Sequence, residues 1–184
     1  GPPSLTKRID LLKRGIALIE THEDKIIEAL NHDFRNRSVD EIKISEIDQT
    51  IRNLLFTIRK LNKWMQPQRR FSSLGTDLLG ARSSLKPSPL GTVGIISPWN
   101  FPVGLIFYPL ASVFAAGNRA MVKPSEITPA TANIIKEGVQ KYFDVSELAV
   151  ITGDPAVGEK FSALKLDHLL FIGSNRVEKK VAAQ

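Results

Sequence analysis

The first third of the chain places apolar residues at helical spacing. The first stripe repeats every three or four positions: Leu5, Ile9, Leu12, Ile16 and Ile19. The same periodicity predicts a second helix from Glu23 to Leu30 and a third from about Asp40 to Met65, ended by Pro67. Polar residues fill the other faces, so each helix is expected to bury one side only.

A different pattern begins at Leu90, where short apolar runs alternate with stretches of helical length. The predicted strands are Thr92–Ser97, Ala120–Lys123, Leu148–Thr152 and His168–Ile172. The predicted helices are Val103–Ala116, Pro129–Phe143, Ala156–Leu164 and a last one from Arg176 onward. The strands are apolar without alternation, as in strands covered on both faces. Successive β-α units predict an α/β fold with a doubly wound, Rossmann-like parallel sheet, whose strands end at one ligand-binding edge.

This change of pattern divides the chain into two parts. Residues 1–89 are expected to form a helical layer with connecting strands, and residues 90–184 a partial dinucleotide-binding domain. Between them, Gln68 to Pro89 is rich in Ser, Gly and Pro, with Leu78, Leu79 and Leu85 as its main apolar residues. One or two short strands or extended loops are predicted there.

Composition removes several classes of site. The chain has no cysteine, which excludes disulfides and thiol nucleophiles within these residues. His22, His32 and His168 do not have the spacing of metal ligands, so no metal is expected. The net charge of +6 is scattered rather than gathered into a patch. We therefore expect no nucleic-acid partner, although a basic surface would attract an anionic cofactor.

No targeting or membrane segment is recognised. Charged residues occur throughout Ser4–Arg14, and the longest weakly charged stretch, Gly91–Asn118, is interrupted by prolines and glycines. Gly1–Pro2 is typical of a protease-cleavage scar. A cytoplasmic protein with no membrane partner is the expectation.

Two predicted strands are followed by polar side chains, and each set of side chains has both a functional and a structural interpretation. After the first, Pro98 and Pro102 bracket Trp99 and Asn100. Asn100 is then either a rigid oxyanion-hole donor or a helix cap. After the second, Lys123 and Glu126 are either a pair that grips ribose hydroxyls or a surface ion pair.

The third strand is followed by Gly153-Asp-Pro-Ala-Val-Gly158-Glu-Lys, which is nearly a P-loop. Glu159 stands where the phosphate-binding lysine belongs, so we exclude a nucleoside triphosphatase. A tight turn into a helix N-terminus remains, and Gly153 and Gly158 are candidate cofactor-binding residues.

Gly173 and Ser174 follow the fourth strand. They either approach a phosphate or cap a helix. The chain has no G-x-S-x-G motif, so a serine hydrolase finds no support.

Taken in order, these motifs closely resemble the aldehyde dehydrogenase superfamily. The resemblance rests on Pro89–Pro102 (PLGTVGIISPWNFP), Ala115–Glu126 (AAGNRAMVKPSE) and Phe171–Ser174 (FIGS). Two further runs, Trp64–Arg70 (WMQPQRR) and Phe161–Phe171 (FSALKLDHLLF), look most like the coniferyl aldehyde dehydrogenase branch.

The resemblance implies roles for the matching positions. Asn100 matches the oxyanion-hole asparagine. Lys123 and Glu126 match the pair that holds the adenosine ribose, and Gly173 and Ser174 match the pyrophosphate contact. The segment lining the cofactor cleft is matched by Ile96, Ser97, Pro98 and Trp99. The implied cofactor is NAD(P), and Glu126 favours NAD because a carboxylate repels a 2′-phosphate.

The resemblance also implies a reaction. Family members oxidise an aldehyde, here coniferyl or another aromatic aldehyde, by thiolate attack, hydride transfer and thioester hydrolysis. Their cysteine, glutamate and oligomerising tail lie beyond the matched region. We therefore interpret the chain as an N-terminal fragment of a homo-oligomeric enzyme, without its catalytic domain and inactive unless completed.

Three departures from the family pattern support a different function. Ile172 replaces a threonine, Pro155 a glycine and Glu178 a glycine. The alternative is a non-catalytic module that binds a nucleotide or a full-length subunit. A third reading, acyl-phosphate reduction, is opposed by the Pro-Trp-Asn-Phe-Pro run.

Overall fold

The computed structural model describes residues 1–71, 80 and 82–183 of the 184 residues. Its α-helices are α1 (Leu5–Thr21), α2 (Glu23–Phe34), α3 (Val39–Ile42), α4 (Gln49–Trp64), α5 (Gly104–Ala116), α6 (Pro129–Tyr142), α7 (Pro155–Ser162) and α8 (Asn175–Val181). Its strands are β1 (Gln68–Arg70), β2 (Ser83–Leu85), β3 (Thr92–Ile96), β4 (Arg119–Lys123), β5 (Leu148–Val150) and β6 (His168–Phe171). No described helix is both long and apolar enough to cross a bilayer.

The predicted third helix contains a π-helical segment. A π-helical segment, Lys43–Asp48, separates α3 from α4, and it buries Glu46 as well as Ile47. The predicted helix over about Asp40–Met65 is confirmed as an unbroken helical run from Val39 to Trp64, but the π turn within it was not predicted. Apolar spacing alone does not reveal a π turn, because the turn adds a residue without adding an apolar position.

The parallel sheet confirms the predicted fold class. Its order is β5-β4-β3-β6, and every neighbouring pair is parallel. The chain moves outward from β3 to β4 and β5, then returns to the other side of β3 with β6. This reversal creates a topological switch point, where open α/β sheets bind ligands.

The strands end earlier than the sequence predicted. β3, β5 and β6 stop at Ile96, Val150 and Phe171. The next amides, those of Ser97, Ile151 and Ile172, still donate to the neighbouring strands, and the residues beyond them form the loops at the carboxyl edge.

One apolar core joins the helical layer to the sheet. It includes Leu12 of α1, Phe107 and Phe114 of α5, and Val122 of β4, all almost fully buried. α1 and α4 pack on α5, and α2 packs on α6. α1, α2 and α4 are therefore packed against the two helices that follow β3 and β4.

The transition segment contains two short strands, within the prediction of one or two short strands or extended loops. β1 and β2 form an antiparallel ribbon, with Gln68 opposite Leu85, and nearly all its residues are exposed. Leu78 and Leu79 lie outside the described residues.

An ion-pair cluster links α1 to the loop before β5. Arg14 binds the Glu147 carboxylate at 2.7 and 3.0 Å, and Lys7 Nζ lies 2.5 Å from Glu147 Oε1. The Arg14 hydrogen bond, helped by Lys7 and the Asp144 amide, lowers the pKa of Glu147 from 4.5 to about 2. Because the folded pKa is depressed, this contribution to stability is present above pH 4.5 and is lost as the pH falls towards 2.

Replacing Glu147 with glutamine is expected to cost about 1 kcal/mol near neutral pH, a small value because solvent screens the pair. Urea unfolding at several pH values would measure it. The difference between wild type and Glu147→Gln should shrink as the pH falls from 4.5 to 2. Glu20→Gln, on the exposed side of α1, is the control. An unchanged difference over that range would contradict the assignment.

Candidate functional site

A cleft of about 650 Å³ lies at the carboxyl ends of β3, β4 and β6. All but two of the residues selected from the sequence line it: Ile96, Ser97, Pro98, Trp99, Asn100, Lys123, Glu126, Gly173 and Ser174. The fold thus brings together loops that are separated by up to about half of the chain.

The two remaining glycines are placed differently. Gly158 lines an adjoining cavity of about 280 Å³ that shares Ile96, Lys123 and Glu126 with the cleft. Gly153 lines neither space; it faces a shallow pocket beside Ser125 and Glu126. Gly153 has φ +154°, and a Cβ there would lie 2.7 Å from Val157. Its role in the structure is to form the turn into α7.

The loop after β3 presents Trp99 and Asn100 to solvent at the cleft. Its start is paired with the neighbouring strand through Ser97 N–H and the Lys123 carbonyl at 3.2 Å. Val103, not Asn100, occupies the N-cap position of α5. The helix-cap interpretation of Asn100 is therefore not observed, and within the described residues its side-chain amide makes no hydrogen bond.

Lys123 and Glu126 form an asymmetric pair. Lys123 is 2% exposed, whereas the Glu126 side chain is 42% exposed. Lys123 Nζ donates to the Pro124 carbonyl at 2.8 Å and to Glu126 Oε2 at 3.3 Å. A surface ion pair would expose both partners, so that interpretation fails for Lys123. An ammonium group has three donors, which leaves one for a ligand in the cleft.

Gly173 and Ser174 lie at the opposite wall of the cleft. Ser174 occupies the N-cap position of α8, but its side chain makes no capping hydrogen bond. A Cβ on Gly173 would lie 2.4 Å from the Phe171 ring. Glycine is therefore required here for the backbone to pass so close to that ring.

Sequence reasoning missed several lining residues. Leu105, Ile127, Phe171 and Val177 supply apolar surface, and Arg176 lines both the cleft and the adjoining cavity. Arg176 could have been identified from its position in the sequence, because Arg176 and Lys180 stand one helical turn apart directly after the Gly173–Ser174 loop. Glu178 lines neither space. In the part of the chain that is described, no group of three His, Cys, Asp or Glu side chains could hold a metal ion.

A carboxylate from the helical layer fixes the helix that follows the Lys123 loop. Asp33 accepts hydrogen bonds from the Ala130 and Thr131 amides at 3.2 and 2.8 Å, and from the Thr131 hydroxyl at 2.8 Å. It therefore caps α6 from α2, about one hundred residues away along the chain.

Replacing Asp33 with alanine is expected to lower the free energy of unfolding by about 1–2 kcal/mol, because the amides of a buried helix start lose their acceptor. Chemical denaturation measures this loss. Asp33→Asn keeps one acceptor oxygen and should lose less. Equal losses for the two variants would show that the cap is not the cause.

Comparison with known proteins identifies the family of the chain. The aldehyde dehydrogenase family model matches residues 3–184. A probable coniferyl aldehyde dehydrogenase of Caulobacter vibrioides is 47% identical over 98% of this chain and 38% of its own length. A coniferyl aldehyde dehydrogenase of a Pseudomonas strain is 41% identical over 98% of this chain and 37% of its own length. The chain thus spans less than two fifths of these relatives.

Solved structures show the same fold. A substrate-bound Staphylococcus aureus AldH superposes with a TM-score of 0.92 at 33% identity, over 98% of this chain and 39% of that one. A Pseudomonas syringae indole-3-acetaldehyde dehydrogenase mutant, in complex with NAD⁺ and IAA, gives 0.82 at 22% identity over 98% and 36%. The family match, the relatives and the strand order agree: the chain belongs to the aldehyde dehydrogenase family.

Proposed function

We propose that the cleft binds NAD and that the chain forms the nucleotide-binding part of an enzyme that oxidises an aldehyde to a carboxylic acid. One observation carries this proposal: the Asn100 amide, the Lys123–Glu126 pair and the Gly173–Ser174 loop share a single cleft at the switch point of a parallel sheet. All of its lining residues lie between residues 96 and 177. We therefore assign nucleotide binding to residues 90–184 and support of the loops to residues 1–89.

The residues present fit such a cofactor. The cleft volume of about 650 Å³ is in the ordinary range for small-molecule sites. Ser97 is 3% exposed, and its hydroxyl has no hydrogen-bond partner within the described residues. A buried polar atom without a partner is costly, so it favours a polar ligand at this wall of the cleft.

Each part of a dinucleotide has a matching wall. Lys123 and Glu126 would hold the adenosine ribose, and the adjoining cavity beside Gly158 would take the adenine. The backbone at Gly173, the Ser174 hydroxyl and the Arg176 guanidinium would meet the pyrophosphate. The nicotinamide end would then lie towards Trp99 and Asn100.

The groups needed to oxidise an aldehyde would come partly from this chain and partly from residues outside it. When bound, the nicotinamide supplies the hydride acceptor. The Asn100 amide would stabilise negative charge on the aldehyde oxygen, as a preorganised donor does in an oxyanion hole. The 184 residues contain no cysteine, so a thiol nucleophile must come from elsewhere. The relatives named for coniferyl aldehyde support an aromatic aldehyde as substrate.

NAD is favoured over NADP by the position of Glu126, which lines both the cleft and the adjoining cavity. A carboxylate there accepts hydrogen bonds from ribose hydroxyls and repels a 2′-phosphate. Arg176 and Lys180 lie nearby and would attract the 2′-phosphate of NADP once the negative charge of Glu126 is removed.

Calorimetric titration of the chain with NAD and NADP tests the proposal. Wild type should bind NAD more tightly, and Glu126→Gln should shift the preference towards NADP by about 10-fold, the effect of removing one close repulsion. Glu137→Gln, exposed on α6, is the matched control and should change neither affinity. If neither nucleotide binds the wild type, the alternative of a non-catalytic subunit-interaction module is favoured instead.

A further inference from the structure

Glu46 is a buried carboxylate that the proposed reaction does not use. It lies in the π-helical segment Lys43–Asp48 and is 0% exposed. Oε2 accepts hydrogen bonds from the backbone amides of Val103 at 3.1 Å and Gly104 at 2.9 Å. Oε1 accepts one from the Arg37 guanidinium at 3.0 Å. These are the first amides of α5, immediately after the loop that carries Asn100.

Arg37 contacts the other side of the same loop. Its guanidinium carbon lies 4.8 Å from the ring centroids of both Phe34 and Phe101, so the group makes a cation–π contact with each. The Phe34 ring is in turn 6.2 Å from that of Trp99. The Arg37 side chain is only 8% exposed. Asn100 therefore stands between two aromatic residues that the helical layer contacts.

The chemistry of Glu46 indicates that this residue orients the groups around it and does not only stabilise the fold. Burial raises the pKa of Glu46, because the charged form loses its hydration, while the Gly104 amide, Arg37 and the Val103 amide oppose that rise. An apolar side chain of similar size would usually serve packing as well or better. A carboxylate adds directional acceptors, which define the position of two backbone amides and one guanidinium.

We propose that Glu46 and Arg37 are positioning residues that hold the Trp99–Phe101 segment, and with it the Asn100 amide, at the rim of the cleft. The role given to Asn100 rests on the proposed function, whereas the bracing of the segment does not. The π turn brings Glu46 to this contact, in keeping with the frequent occurrence of π turns at functional sites.

Hydrogen–deuterium exchange of the chain without cofactor tests the bracing. In Glu46→Leu, amide protection across residues 99–104 should fall by about 10-fold or more, as expected for lost hydrogen bonds to a charged acceptor. Glu46→Gln keeps an acceptor oxygen and should recover most of this protection. Leu61→Ala is the control, because it removes a buried side chain roughly 20 Å further along the helical path. It should weaken protection broadly, without preference for residues 99–104.

Trp99 emission gives a second readout in a Trp64→Phe background, where Trp99 is the single tryptophan. Arg37→Lys keeps the charge but loses the planar stack, and it should shift the emission maximum as strongly as Arg37→Met. If Glu46→Leu unfolds the chain, Glu46→Gln and the Arg37 variants decide the question.

Unchanged protection at residues 99–104, or a loss spread evenly over the chain, would overturn the positioning role. If either of these results is found and the wild type still binds NAD, only the positioning role is refuted, and the proposed function is not affected. A second outcome separates the two proposals. If the variants lose protection at residues 99–104 but the wild type binds no NAD, the bracing is supported and the proposed function is refuted.

Discussion

Substituting leucine for Gly158 is expected to abolish measurable NAD binding while the chain stays folded. A Cβ at Gly158 meets nothing closer than Lys123 Cε at 4.0 Å, so the backbone tolerates a side chain. That side chain would occupy the cavity shared by Ile96, Lys123 and Glu126, where we propose that the adenine binds. Loss of the adenosine contacts should weaken binding by at least about 100-fold, or roughly 3 kcal/mol.

Two variants in α7 control for this result. Gly158→Ala should bind NAD and should stabilise the helix by about 0.5–1 kcal/mol, because alanine restricts the unfolded chain. Ala156→Leu adds the same side chain at an exposed position that lines neither the cleft nor the cavity. Calorimetry and thermal unfolding measure both effects. Tight NAD binding by Gly158→Leu would show that the cavity does not hold the adenosine end.

Replacing Lys123 with methionine is expected to weaken NAD binding by about 10- to 100-fold, the value of one or two charged hydrogen bonds. The thermal midpoint should stay the same or rise. Lys123 is a buried cation whose partner, Glu126, is partly exposed, so removing the charge releases an uncompensated desolvation cost. Opposite effects on binding and stability are typical of a group kept for function.

A purely structural ion pair would behave differently. Lys123→Met would then lower the thermal midpoint and leave NAD affinity unchanged. Lys136→Met is the comparison, since Lys136 donates to the Thr152 hydroxyl from α6 at the same edge of the sheet, outside the cleft. It should leave NAD affinity as in wild type.

The sequence predicted the sheet well because its strands are short apolar runs covered on both faces. That pattern is local, and so are the polar residues that follow β3, β4 and β6. Parallel strands place their carboxyl ends at one edge, so the meeting of Asn100, Lys123 and Ser174 followed from topology. Strand ends were overestimated by one or two residues: Ser97, Ile151 and Ile172 still donate one backbone hydrogen bond to the neighbouring strand, although the paired register ends before them.

Partners that come from distant helices could not be predicted. Asp33, Arg37 and Glu46 look like ordinary polar residues of amphipathic helices, and each binds across the boundary between residues 1–89 and 90–184. A second contact that was not predicted lies within residues 90–184: the Asn118 side-chain oxygen accepts hydrogen bonds from the Leu90 and Gly91 amides at 2.7 and 2.9 Å. Such contacts depend on packing, which the hydrophobic pattern does not specify at the level of single polar atoms.

The central claim is that three strand-end loops form one nucleotide site. Backbone amide chemical shifts of the ¹⁵N-labelled chain, followed during NAD addition, test it most directly. We expect saturable shifts that cluster at residues 96–100, 123–126 and 171–177 and share one dissociation constant. Shifts confined to another surface, or no shifts at millimolar NAD, would contradict it.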